Sequence, residues 1–303
     1  MNNFNKKKTL ITGASGYIGS FLTKDLVDSG WDVHILVRPS SNLNLLNSVT
    51  GKITLHYFTG KQSDITEIFC KHIFDIVFHL ASSISAKHSS SQLNELINCN
   101  IQLPIYIAEA MAGNGSYNFI NTSTHWQHFA RAEYRPLSLY AATKKSIEDL
   151  LYFYADDKGI NIINLTLYDT YGPGDIRGKL ISHLHKSYIN KTKLLMSEGY
   201  QKVNLVHVLD VVRGYIIACK RLIGHSRKFP DNFEIFHLRS RNNYTIRDIV
   251  ALFEEISGTR LNVVFGERAL RKREILNPYS EGKILPDWSP KITLREGIKM
   301  LLK

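Results

Sequence analysis

Short apolar runs alternate with stretches of helical period along the first half of the chain. Residues 8–12 (KTLIT) read as a strand. Residues 17–29 place Ile18, Phe21, Leu22, Leu26 and Val27 on one helix face, and Gly30 stands where a helix-ending glycine belongs. Further strands are predicted at 33–37, 53–58 and 76–80, a fifth begins at 118–121, and a sixth spans 160–167. Helices are predicted over 93–112 and 138–155, although Pro104 lacks the N–H that a helix interior uses. This alternation predicts an α/β, Rossmann-type fold with a doubly wound parallel sheet.

After Tyr171 the rhythm changes. Gly172-Pro173-Gly174-Asp175 signals a loop. Helices follow at 179–191, 210–222, 246–256 and 294–302, with a strand at 203–208. The expected division is a Rossmann-type domain over 1–170 and a smaller, mixed α/β lobe over 171–303. Segments near 203–222 and 233–239 are expected to return to the main sheet. Trp288 and Pro290 read as anchors of the lobe.

Composition narrows the class. With 303 residues, 44% hydrophobic and 21% charged, the chain is of globular type. No apolar run reaches the roughly 18–20 residues of a membrane span. A polar start (1–8) followed by a short apolar stretch does not read as a signal peptide, which predicts a cytoplasmic protein. Three cysteines without CxxC spacing, and histidines without an HExxH pattern, predict no metal site and no disulfide framework. The formal charge of +11 admits nucleic-acid binding, but the basic residues are scattered and their clusters short. A polyanionic small ligand accounts for the field equally well, so no nucleic-acid or membrane partner is expected.

The candidate chemistry begins at Gly13-Ala14-Ser15-Gly16-Tyr17-Ile18-Gly19, directly after a strand and opening a helix. Glycines let the backbone approach a pyrophosphate, and the helix N-terminus offers it free N–H groups. An acidic residue after the second strand would bind the ribose 2′-hydroxyl of NAD. Arg38 stands there instead, followed by Ser40 and Ser41, a set suited to the 2′-phosphate of NADP(H). NAD(H) is the less favoured cofactor.

Tyr140 and Lys144 lie four residues apart, on one helix face. A nearby ammonium is expected to lower the phenol pKa and make Tyr140 a general acid or base. Thr122, Ser123 and Thr124 end the fifth strand, at the carboxyl edge where open α/β sheets bind ligands. Thr124 is the choice to hold a substrate oxygen, with Ser123 second. His79 reads as a packing residue; for His207, substrate contact and core filling weigh evenly.

TGASGYIG, HLAS at 79–82, NTST at 121–124, YAATK at 140–144 and YGPGD at 171–175 together resemble the extended short-chain dehydrogenase/reductases. These are NAD(P)-dependent sugar-nucleotide epimerases, dehydratases and reductases, and the likeness runs over the whole chain. It implies that Gly13, Gly16 and Gly19 line the pyrophosphate, with Ser15, Tyr17 and Ile18 alongside. Leu80, Ala81 and Ser82 border the cofactor, Lys144 binds the nicotinamide ribose, and Tyr168 faces the nicotinamide. Ser83, Thr124, His125, Asp169, Arg177 and Arg273 are the implied substrate contacts. A homodimer is also implied.

Departures from the pattern refine the reading. The family's 4,6-dehydratases carry Asp-Glu after the catalytic Thr; here His125 and Trp126 stand there, which disfavours dehydration. The arginine usual before the LVHV segment is replaced by Val203, beside Lys202, which shifts phosphate recognition to Arg177 and Arg273. The acidic residue usual after the third strand is missing near 58–60. The overall pattern is most like the nucleotide-sugar 4-ketoreductases, of the CDP-abequose and CDP-paratose synthase type. It implies NADPH-dependent reduction at C4 of a nucleotide-linked 4-keto-6-deoxy or 3,6-dideoxy hexulose, in deoxysugar biosynthesis for lipopolysaccharide O-antigen. A C4 epimerase with tightly held NAD shares the same residues, and a non-catalytic NADP-binding regulator is the alternative outside enzymes.

Overall fold

The computed structural model describes residues 6–224 and 232–302. Residues 1–5, part of the polar start, lie outside that set. Eleven segments build the first part: β1 (Lys8–Thr12), α1 (Tyr17–Asp28), β2 (Asp32–Val37), β3 (Ile53–Tyr57), α2 (Gln62–Lys71), β4 (Ile76–His79), α3 (Leu93–Ile97), α4 (Leu103–Asn114), β5 (Asn118–Thr124), α5 (Leu139–Lys158) and β6 (Asn161–Leu167). One seven-stranded sheet runs in the order Phe233–Leu238, β6, β5, β4, β1, β2, β3. The pairings from β3 through β2, β1 and β4 to β5 are parallel. This is the doubly wound, Rossmann-type sheet expected from the alternation. β4 is buried along its whole length, as strands covered on both faces are.

The helix predicted over 93–112 is interrupted. Between α3 and α4 the chain makes a π-helical segment, Asn98–Gln102, and α4 restarts with Pro104 in its first turn. A first-turn N–H has no intrahelical acceptor, so the proline costs little there. The widened turn thus resolves the conflict that Pro104 posed.

The chain divides into two compact units. Unit 1 comprises 1–124, 138–166 and 214–236; unit 2 comprises 125–137, 167–213 and 237–303. Leu10, Val77, Ile107, Phe119, Ile147 and Leu151 lie in the core of unit 1. Tyr171, Leu184, Leu205, Ile249, Phe253 and Ile298 lie in that of unit 2.

In unit 2 the strand predicted at 203–208 is two strands. Lys202–Val203 pairs antiparallel with Tyr244–Thr245, and Leu205–His207 pairs parallel with Asp169–Tyr171. Asn204, at the break, donates to Ser240 O and Asn243 Oδ1 and accepts from Ser240 N. His207 is buried and packs edge-on to Tyr171, so it fills core space. Trp288 donates its indole N–H to Asp210 O, and the Asp210 carboxylate accepts from Lys291 N and Ile292 N. The C-terminal segment is anchored there.

Candidate active site

The glycine loop lies at the carboxyl ends of β1 and β4, where the strand order departs in both directions. Thr12 is the register partner of His79. Its Oγ1 bonds His79 Nδ1 at 2.9 Å and accepts from Ala81 N at 3.1 Å. Gly13 has φ +72°, and a Cβ on it would sit 2.6 Å from the backbone of Leu80 and Ala81. A Cβ on Gly19 would sit 2.1 Å from Gly13 O. The loop, α1 and the exit of β4 are therefore in backbone-to-backbone contact that only glycine permits. Gly16 caps α1 with no side-chain acceptor, and the first turn carries no acid. The positive dipole end of α1, opening directly from the glycine loop, suits a pyrophosphate.

Arg38 follows β2 with an exposed guanidinium, 3.4 Å from Glu95. Ser41 Oγ accepts from Arg38 N and closes the turn between them.

Tyr140 and Lys144 are presented by α5, whose first turn is capped by Ser138 Oγ accepting from Ala141 N. Both side chains are buried. The Tyr140 hydroxyl is hydrogen-bonded to Thr124 and to Ser82. Ser82 Oγ also donates to Asn100 Oδ1. Asn100 Nδ2 donates to Ser83 O and to Thr143 Oγ1, which ties the segment after β4 to α5. Thr122 is not part of this group. Its hydroxyl donates to His79 O and bonds Tyr215.

The electrostatics differ from the expectation. Burial pushes the Tyr140 phenol up, to about 12, although the bonds to Thr124 and Ser82 act in the opposite direction. Burial likewise pushes Lys144 down, to about 8. Desolvation decides both shifts, against the lowering expected for Tyr140. Lys144 Nζ is 0% exposed as a residue and has no hydrogen-bond partner among the described residues. An orphan ammonium this deep is costly unless a ligand supplies acceptors. Together with the glycine cradle it fits a nicotinamide dinucleotide, whose ribose hydroxyls are suitable acceptors.

Unit 2 contains a cavity of about 530 Å³, lined among others by His125, Asp169, Lys179, Lys202, Arg268, Arg271 and Arg273. Arg273 lies over the Phe129 ring at 4.5 Å and donates to Pro136 O. His125 stacks on Tyr168 at 4.6 Å, and its Nε2 is 3.9 Å from Asp169 Oδ2. Burial pushes His125 down to about 4, so it is neutral at physiological pH. Burial also works to raise Asp169, but Lys179 and His125 outweigh it and hold the carboxyl below its usual range. Arg177 is committed elsewhere. It makes a two-pronged bond to Asp175 and donates to Thr170 O, and it does not line the cavity. Lys179 stands on the wall instead. The Tyr168 hydroxyl donates to Tyr279 O and bonds His237 Nδ1.

The family model for the NAD dependent epimerase/dehydratase family matches residues 9–229. The chain belongs to the NAD dependent epimerase/dehydratase family. Within this family it is 23% identical to the CDP-abequose synthase of Salmonella muenchen, covering 98% of this chain and 97% of that protein. It is 26% identical to the UDP-glucuronate 4-epimerase of Thermodesulfobacterium geofontis, covering 96% and 93%. The structure of the Bacillus cereus UDP-glucuronic acid 4-epimerase, in complex with UDP-glucuronic acid and NAD, superposes with a TM-score of 0.81 at 22% identity, over 97% of each chain.

For a member of the epimerase/dehydratase family, unit 1 gathers Gly13, Gly16, Gly19, Leu80, Ala81, Ser82, Thr124, Tyr140 and Lys144. Unit 2 holds His125, Tyr168, Asp169, Arg177 and Arg273. Sequence reading missed Asn100, which comes from the π-helical segment, and the cavity role of Arg268 and Arg271. The first carried no pattern signal. The second was visible only as a short basic cluster.

Proposed function

We propose that this enzyme reduces a nucleotide-linked 4-keto-6-deoxy or 3,6-dideoxy hexulose at C4 with NADPH. The bound dinucleotide would supply the hydride. One observation carries the reading: the Tyr140 phenol is buried, hydrogen-bonded to Thr124, and held protonated. A ketone reduction needs a proton donor at the developing alkoxide, and a high-pKa phenol is in the donor state at neutral pH. Thr124 would hydrogen-bond the same oxygen, and Lys144 would hold the nicotinamide ribose. Ser82, fixed by Asn100, would keep the phenol oriented.

The basic cavity of unit 2 has the chemistry for a nucleoside diphosphate, with Arg273 and its neighbours as phosphate partners. His125 and Trp126 replace the acid pair that elimination requires. The exposed Arg38 guanidinium supports NADPH over NADH. The NAD in the B. cereus structure and the UDP-sugar epimerase relatives favour the rival reading, a C4 epimerase with tightly held NAD.

NADPH oxidation against CDP-, GDP- and dTDP-linked 4-keto-6-deoxysugars distinguishes the two. The reductase oxidises NADPH with one nucleotide series, and NMR of the product gives its C4 configuration. Purified protein that carries firmly bound NAD and consumes no external NADPH would be an epimerase.

A further inference from the structure

Three imidazoles meet at the outer edge of the unit 1 sheet, away from Tyr140 and the glycine loop. His34 lies on β2 and His56 on β3, the edge strand. The register sets His34 opposite Thr54 and His56 opposite Leu36, so the two rings leave the same sheet face as diagonal neighbours. His72, which ends α2, brings the third. Ring centroids are 5.1 Å apart for His34 and His56, 4.6 Å for His34 and His72, and 5.5 Å for His56 and His72. One ring nitrogen of each lies within 4.8 Å of the other two.

Core packing alone does not account for this group. His34 is 3% exposed, and a histidine pair bond, His34 Nδ1 to His56 Nε2 at 2.8 Å, uses only one nitrogen on each ring. Three convergent imidazole nitrogens are a donor set for a borderline cation such as Zn²⁺, which binds each at roughly 2.0–2.1 Å. The three nitrogens converge within 4.8 Å of one another, and a bound ion would draw them together to that distance. The surroundings also match. Asp32 Oδ2 is 3.5 Å from His34 Nε2, on the far side of the ring from His56. A metal-bound histidine commonly gives its second N–H to a carboxylate, which fixes its tautomer. The nearby cations are paired: Lys8 with Asp32 at 3.7 Å, and Lys71 with Glu67 at 2.6 Å.

The geometry points to a Zn²⁺-class metal site with His34, His56 and His72 as ligands and Asp32 orienting His34. A solvent oxygen completes the shell. The site clamps β2 and β3 to the end of α2 and takes no part in the reduction. Sequence spacing gave no sign of it and predicted no metal, because the three residues converge only through the sheet register.

The test uses the tag-free full chain, stripped with chelator and titrated with Zn²⁺ alone by calorimetry, with bound metal counted by elemental analysis. One equivalent per chain is expected, with a raised melting temperature. His56→Ala and the more exposed His72→Gln should each weaken binding at least tenfold while the circular dichroism spectrum stays that of the parent. His183→Ala, at an exposed histidine of the helix Leu180–Asn190 outside the group, should leave binding unchanged. Co²⁺ in place of Zn²⁺ should show the visible bands of a four-coordinate site. Absence of stoichiometric binding overturns the proposal, as does one-equivalent binding that survives in folded His56→Ala or His72→Gln.

Discussion

In the proposed reduction the chemistry turns on Tyr140 and Lys144. Their spacing was legible because a four-residue step always shares a helix face. Their electrostatics were not, since desolvation depends on what the fold places around them. Tyr140→Phe should bind the dinucleotide with unchanged affinity and lose about 10²–10⁴-fold in kcat. Full activity in that variant would remove Tyr140 as the acid. Lys144 gives a stability prediction of definite sign. Its pKa falls on folding from 10.5 to about 8, so between those values the folded chain holds fewer protons than the unfolded one. The stability of ligand-free protein should therefore rise with pH across that window. Below it the full penalty persists. Lys144→Met should remove the penalty and stabilise the ligand-free protein at pH 7 by roughly 1–3 kcal/mol, while weakening dinucleotide binding. Denaturant unfolding with and without the dinucleotide checks both halves; a less stable variant contradicts the account.

At the scale of elements, the strand–loop–helix unit around Gly13 was fully legible, because a glycine-rich turn between a strand and a helix is a local pattern, even though Gly13 itself answers to the distant backbone of Leu80 and Ala81. A methyl group on Gly19 has nowhere to go, with Gly13 O at 2.1 Å from its position. Gly19→Ala should displace the loop, lower the melting temperature and cost about 1–3 kcal/mol. Dinucleotide affinity should fall with it, measured by fluorescence titration, and an unchanged affinity would show that the loop is not the pyrophosphate site. Elements shaped by distant partners were less legible. The π-helical segment before Pro104 carries Asn100, whose bonds to Ser82, Ser83 and Thr143 are all long-range. The break at Asn204 depends on Ser240 and Asn243, far along the chain. The pairing of Arg177 with Asp175, two residues away, was also not legible, because Asp175 was taken as part of a loop signal and not as a counter-ion.

For the whole molecule, the fold class followed from alternation, whereas the strand order and the grouping of His34, His56 and His72 needed three-dimensional register. Cofactor choice belongs to this scale, because it links one surface arginine to the reaction the enzyme runs. A charge-assisted bond from Arg38 to a 2′-phosphate is worth about 1.5–3 kcal/mol. Arg38→Ala should thus lower the NADPH-to-NADH ratio of kcat/KM by about tenfold or more; an unchanged ratio would mean that the discrimination lies elsewhere. The central claim is net transfer of hydrogen from the dinucleotide to sugar C4. NADPH carrying deuterium at the transferring position of its nicotinamide, incubated with the accepted 4-keto sugar, tests this directly. The account predicts one deuterium at C4 of the product and stoichiometric NADP⁺. Deuterium that stays on the nicotinamide, with the 4-keto sugar unreduced and no NADPH consumed, would contradict it.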